Sequence, residues 1–401
     1  MQMISILFSL WFTLQLNYPA FTLVESYPIE THLDTPDIPE TASVWLEMFR
    51  SARRSIDIEQ FYISSEKGEA LEPIITELIN AGSRGVRIRI IIDKRMALTY
   101  PEPVKTLAAS LNIEVRIIDF VSAFGGVQHS KFFIVDNQEA FMGSQNFDWR
   151  ALTHITEIGL RIREKRAVDF YTSVFEMDWG LAGGKDISTL RKEYSKKIGE
   201  LPFVSLQGPS DTVRYIPTAS PLAFIPDPEA WDEFHMMSVI EKAINELRLQ
   251  FLSYSARDKE GNYYAAIDSS LRAAASRGVK VRLMVADWGK GRRSEKDLKE
   301  LSALPNIEVR YSVIPEWSGG YIPFARVEHC KIIIADDHTF WLGTSNMEKG
   351  YFDSSRNLGI VIMNKGLTTR LANKFNRSWN NPTAETIRAE TVYMPREYRE
   401  R

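Results

Sequence analysis

A repeat constrains this chain more than any other feature. His129-Ser-Lys131 and His329-Cys-Lys331 stand 200 positions apart, and each opens the same pattern. An Asp follows the Lys by five residues (Asp136, Asp336). Seven residues later comes Gly-Ser/Thr-x-Asn, as Gly143, Ser144 and Asn146 and again as Gly343, Thr344 and Asn346. Further blocks echo in the same order. Ala81-Gly-Ser-Arg-Gly-Val-Arg-Ile-Arg-Ile90 matches Ala275-Ser-Arg-Gly-Val-Lys-Val-Arg-Leu283, and Asn112-Ile-Glu-Val-Arg116 recurs unchanged as Asn306 to Arg310. Two units are too few for a solenoid, whose repeats need more neighbours to bury their faces. The chain is therefore a duplicated unit that pools two half-sites into one.

Each half reads as helices alternating with strands. Apolar residues recur at helical spacing over 44–53 and 237–247, and again over 71–81 and 265–275. Between them, 55–63, 249–255, 86–92 and 279–285 alternate or run apolar as strands do. This order predicts an α/β fold, with two pseudo-twofold-related lobes that are each a mixed sheet flanked by helices. The division expected is a leader or anchor over 1–25, a first lobe over 26–195, a Pro- and Ser-rich junction over 196–230, and a second lobe over 231–395.

With 401 residues and 44% hydrophobic content, the chain can bury one or two sizeable cores. A formal net charge of −3 argues against a broadly cationic surface wrapped by duplex nucleic acid. A single cysteine, Cys330, excludes an internal disulfide framework. Residues 4–16 form an uncharged apolar run suited to a signal-peptide core, although no Lys or Arg precedes it. From this run an exported, lumenal or membrane-associated protein is expected.

The chemistry follows from the two motifs. Residues 127–135 read as a strand, which places His129 and Lys131 on one face and Ser130, Phe132 and Ile134 on the other. By the same alternation Cys330 is a small core residue. One histidine can attack phosphorus while the other protonates the leaving oxygen, and the unperturbed imidazole pKa suits both tasks. Lys131, Lys331, Asn146 and Asn346 would stabilise the phosphoryl oxygens as charge develops. A Lys between presumptive ligands is a poor neighbour for a divalent cation, so neither a metal nor a cofactor is expected. Asp136 and Asp336 fall in odd register with their His-Lys pair and read as orienting or structural groups. His32, His154, His235 and His338 lack a Lys partner and read as surface or structural residues.

The full pattern resembles the phospholipase D superfamily over nearly the whole chain. Gly143-Ser-Gln-Asn-Phe-Asp-Trp-Arg-Ala-Leu-Thr153 is similar to the corresponding block of its animal endolysosomal branch, which acts as a single-strand 5′ exonuclease. The resemblance implies a metal-independent, two-step phosphodiesterase reaction through a phosphohistidine. It also implies an acidic residue that orients each catalytic histidine. Glu157 fits that role in the first half, and Asn357 stands at the equivalent place in the second. In several relatives the support is crossed between halves. Crossing would put Glu157 on His329 and favour that histidine as nucleophile, whereas support within one half would favour His129. Thr344 in place of Ser keeps the hydroxyl of Ser144.

Two substrates fit this core. For single-stranded nucleic acid, Trp149, Trp317 and Tyr321 are candidate stacking platforms, with Arg150 and Arg326 as phosphate contacts. The competing reading makes the same rings core or lid. For phospholipid, a phospholipase D or phosphatidyl-transferase would use the same catalytic groups on a lipid headgroup. A membrane surface and a second copy of the chain are further candidate partners.

Overall fold

The computed structural model describes residues 19–208 and 210–396. In the first lobe the chain runs β1 (Phe21–Ser26), α1 (Thr41–Ser51), β2 (Ser55–Gln60), α2 (Glu72–Ser83), β3 (Arg87–Asp93), β4 (Ile113–Ile118), β5 (Phe132–Val135), β6 (Glu139–Gly143), β7 (Ile155–Ile162) and α3 (Lys165–Ala182). Its strands lie in the order β1-β7-β6-β5-β2-β3-β4, with β2, β3 and β4 parallel. The second lobe runs β8 (Phe203–Leu206), β9 (Thr212–Ser220), α4 (Asp232–Lys242), β10 (Glu246–Phe251), α5 (Ala265–Ser276), β11 (Lys280–Ala286), β12 (Ile307–Ser312), β13 (Ile332–Ala335), β14 (Thr339–Gly343), β15 (Asn357–Met363) and α6 (Lys365–Trp379). Its sheet repeats the first order as β9-β15-β14-β13-β10-β11-β12, with β8 added outside β9. The fold is the mixed α/β duplication expected.

Strand alternation decides how the lobes meet. Phe132 and Ile134 from β5 join Cys330, Ile332 and Ile334 in one buried cluster, to which α3 adds Phe175 and α6 adds Phe375. This shared core seals one lobe on the other. The opposite face of each sheet has its own core, with Phe133 and Phe141 under Trp45 of α1 in one lobe and Ile333 and Trp341 under Ile240 of α4 in the other. Both α1 and α4 are helical because their buried residues repeat at three- and four-residue spacing. The motif glycines serve close packing. Gly143 pairs with Gly159 across β6 and β7, and a Cβ on Gly143 would lie 2.6 Å from the Gly159 Cα.

Several expectations are corrected. The stretch 196–230 contains β8 and β9, and β9 pairs with β15 along its length. The leader placed over 1–25 runs into β1, whose buried residues pair with β7 from Phe21 to Ser26. Helix α4 ends at Lys242 rather than at 247, because the alternating run from Glu246 enters the sheet. The apolar run at 4–16 lies outside the described residues. The expectation of an exported, lumenal or membrane-associated protein is corrected to this: among the described residues no helix is long and apolar enough to cross a membrane.

Candidate active site

The two His-x-Lys segments precede their strands rather than lying within them. Regular pairing begins at Phe132 and Ile332. Each segment leans instead on the other lobe. The His129 backbone N–H donates to the Arg356 carbonyl (2.9 Å), and the His329 N–H donates to the Thr156 carbonyl (3.0 Å). The next residue along each acceptor strand therefore faces the opposite histidine. His329 Nδ1 lies 2.9 Å from both Glu157 carboxylate oxygens, and His129 Nδ1 lies 3.1 Å from Asn357 Oδ1. The support is crossed.

It is also chemically unequal. Asn357 Nδ2 donates to the Tyr351 carbonyl (2.9 Å), while its Oδ1 accepts from Thr344 Oγ1 (2.9 Å). Those partners fix the amide orientation, so His129 Nδ1 must be the donor and its Nε2 is left for the site. An uncharged amide orients the ring without stabilising its cation as a carboxylate would. Ser144 occupies the position of Thr344 but braces β7, giving to the Ile158 carbonyl and taking from its N–H.

Lys131 and Lys331 are fully buried, and each donates to the carbonyl of its own motif histidine. Burial lowers both histidines well below 6.5, and the two ammonium groups lower them further. Burial likewise lowers Lys131 well below its ordinary value and brings Lys331 to about 8. Burial pushes Glu157 up to about 8, against the pull of Lys331, Ser144 and Lys131. The two lysines oppose that rise, and when Glu157 is ionised its carboxylate accepts Nδ1–H from a neutral His329 and leaves Nε2 free. The carboxamide of Asn346 is buried with neither polar atom partnered, and Asn146 Oδ1 is likewise unpartnered. Buried amides of this kind call for a ligand or solvent partner.

The carboxylates of Asp136 and Asp336 point away from this cluster. Each sits in a left-handed turn (φ 54°) and accepts three successive backbone N–H groups, from Arg53, Arg54 and Ser55 or from Ile244, Asn245 and Glu246. They pin the start of β2 and β10.

The candidate substrate contacts are engaged within the protein to different degrees. Trp149 is 4% exposed and belongs to the first-lobe core. Arg150 is buried in an ion pair with Asp148 (2.9 Å) and also donates to the Pro323 carbonyl. Arg326 is buried and spends its guanidinium on the Pro315 and Ile29 carbonyls. Trp317 packs edge-on against His154 (5.1 Å), and Tyr321 is half-buried in the same loop. Other rings line the reacting groups. The half-buried Phe61 lies 5.1 Å from the His129 ring, with Lys131 Nζ 5.2 Å over its face. Tyr351 meets His129 edge-on at 5.0 Å, and Tyr62 stacks on Tyr100 at 5.2 Å. A cleft of about 490 Å³ opens beside Tyr351, lined among others by Arg95, Arg257 and Lys349 and by Asp258, Glu260 and Asp353. The Phe61-Tyr62 pair was visible in the sequence, but nothing there brings it to His129. Among the described residues no group of three His, Cys, Asp or Glu side chains is arranged to hold a metal ion.

A duplicated α/β fold whose interlobe seam holds two His-Lys pairs defines a class of phosphodiester-cleaving enzymes. The chain matches the family described as "Cardiolipin synthase, PLD-like domain" over residues 45–179 and 238–379. It belongs to this phospholipase D-like family and is a phosphodiesterase of that type. Among similar proteins, 5'-3' exonuclease PLD3 of Bos taurus is 30% identical, with 92% of this chain and 80% of that one covered. Phospholipase D Z of Dictyostelium discoideum is 28% identical, covering 90% of this chain and 89% of that one. The fold is shared with phosphatidylserine synthase of Haemophilus influenzae (TM-score 0.61, 12% identity, 88% of this chain and 86% of that one).

Proposed function

We propose that the chain cleaves single-stranded nucleic acid from its 5′ end, with His329 as nucleophile and His129 as general acid. The unequal support carries the assignment of roles. A neutral His329 that donates Nδ1–H to Glu157 has an electron-rich Nε2 ready to attack phosphorus. His129, held by an amide and flanked by two lysines, gives up its proton readily to the leaving oxygen. Attack forms the N–P bond of a phosphohistidine as the ester P–O bond breaks, and the proton on His129 goes to the departing oxygen. Neutral His129 then takes a proton from water, which attacks phosphorus and restores His329. Lys131, Lys331, Asn146 and Asn346 stabilise the equatorial oxygens in both steps.

The polymer substrate is supported by Phe61, a half-exposed ring one side chain away from both His129 and Lys131. A base or sugar stacked there would hold its phosphate over the lysines, and stacking of this kind tolerates any sequence. The similarity to a 5'-3' exonuclease points the same way. Phospholipid remains the second reading, favoured by the similarity to phospholipase D Z.

The test is hydrolysis in excess EDTA of end-labelled single-stranded DNA beside phosphatidylcholine vesicles, with His329→Ala as blank. Stepwise shortening from the 5′ end is the expected result. Choline release without DNA cleavage would replace this reading with the lipid one.

A further inference from the structure

The duplication supplies an internal control that points to a second binding site, remote from the histidines. The two sheets superpose in register. Gly159 and Gly359 hold equivalent places opposite Gly143 and Gly343, so Arg161, opposite Phe141, corresponds to Val361, opposite Trp341. On the helix above, Thr41 bonds Gln145 as Asp232 bonds Ser345, which aligns Glu47 with Ser238. In the first lobe this outer corner is ionic. Arg161 pairs with Glu47 (2.8 Å) and Glu139 (2.7 Å), and Arg163 pairs with Glu139 (3.3 Å).

In the second lobe the same four positions are Ser238, Thr339, Val361 and Met363, and all four line a cavity of about 820 Å³. Ile216, Trp231 and Val239 extend its apolar wall, and Phe234 and Leu222 stand 63% and 43% exposed at its edge. One copy of the fold fills this corner with salt bridges, and the other leaves it open and apolar. The cavity reaches Ala335, four residues beyond Lys331 and so about 13 Å further along that segment.

We propose that this cavity binds a single-chain lipid with an anionic head, such as a fatty acid. Its volume falls in the range of small-molecule sites, roughly 300–1,000 Å³, and its mostly apolar lining with a few polar groups fits an alkyl chain. The rim selects the head. Lys242 and His338 line the cavity, and among the described residues neither has an ion-pair partner. The Asp336 carboxylate is already taken by three backbone amides, which leaves Glu229 as the opposing acid. A second copy of the chain fits less well, because a concavity walled by α4 and the sheet suits a flexible chain better than a flat face.

The experiment is calorimetric titration of delipidated full-length protein with laurate, and with dodecanol as the neutral control. One laurate per chain is expected. Thr339→Glu with Val361→Arg, which imports the first lobe's own arrangement, should weaken laurate at least tenfold and leave phosphodiester hydrolysis unchanged. Lys242→Gln should weaken laurate several-fold but not dodecanol. Ser238→Trp, which fills the cavity from the helix, provides a second obstruction should the double variant not fold. Absence of laurate binding to the unsubstituted protein would overturn the proposal, as would unchanged affinity in the obstructed variants. Self-association that these variants abolish, without laurate binding, would assign the corner to a second copy and overturn it equally.

Discussion

Replacing Asn357 by Asp tests the unequal support of the two histidines. The substitution puts a carboxylate 3.1 Å from His129 Nδ1, where an amide oxygen now sits. At an effective dielectric of 20, a full charge pair at that distance is worth about 5 kcal/mol before desolvation of the new carboxylate is subtracted. Opposite charges in contact move pKa values by about 1–3 units, or about 1.4–4 kcal/mol. His129 is held well below 6.5 by burial and by both lysines, so the alkaline limb of kcat/KM should lie on the acid side of neutrality. The carboxylate raises the imidazolium pKa, so activity should persist to a pH higher by about 1–3 units. The plateau should fall several-fold, because a weaker acid protonates the leaving oxygen less readily. Asp also loses the Nδ2 donor to the Tyr351 carbonyl, which should cost about 1–3 kcal/mol of stability. Asn357→Ala separates the effects: it should lower kcat and move the limb to lower pH, opposite to Asp, because the amide oxygen's hydrogen bond supports the imidazolium. The assay is kcat/KM against pH for all three proteins. An alkaline limb in Asn357→Asp that coincides with the parent's would refute the assignment of His129 as the acid.

Four further outcomes follow from the geometry. Phe61→Ala should raise KM for single-stranded DNA by about 1–3 kcal/mol, roughly 5- to 150-fold, while turnover of a small phosphodiester changes little; steady-state kinetics on both substrates would reveal equal losses if the ring only braces His129. Asp336→Asn should destabilise the fold by about 1–3 kcal/mol and leave kcat/KM of the folded protein intact, as denaturant melts with active-site titration would show. Burial opposes ionisation of Asp336, but its three amide donors hold the pKa below the ordinary value. Its stabilisation is therefore present above the unfolded-state pKa and lost as pH falls through the folded one, so the parent and Asp336→Asn melts should converge in acid. Asp178→Ala, which strands the fully buried Arg356 guanidinium beside the His129 segment, should cost about 3–5 kcal/mol in the same melts.

The repeat made the architecture and the reacting groups legible, because His-x-Lys spacing and strand alternation are local properties. Cys330 and the two Asp residues followed from register alone. Which residue supports which histidine is set by how the lobes pack, and the sequence left both arrangements open until Thr156 and Arg356 placed Glu157 and Asn357 across the seam. Trp149, Arg150 and Arg326 are engaged within the protein, because an aromatic or Arg beside a motif can wedge a loop as readily as contact a substrate. Pro217 hid β9, which it enters paired with Ile360. Phe61 was passed over because only tertiary packing brings the end of β2 to His129.

The central claim is that His329 carries the phosphoryl group and His129 the proton. A nucleoside phosphodiester with a p-nitrophenolate leaving group needs no acid for the first step, so it separates the two roles. His129→Ala should release one equivalent of p-nitrophenolate and then stall, with the nucleotide found on His329 by mass spectrometry of the quenched protein. His329→Ala should give no burst. A burst from His329→Ala with the nucleotide on His129 would contradict the account.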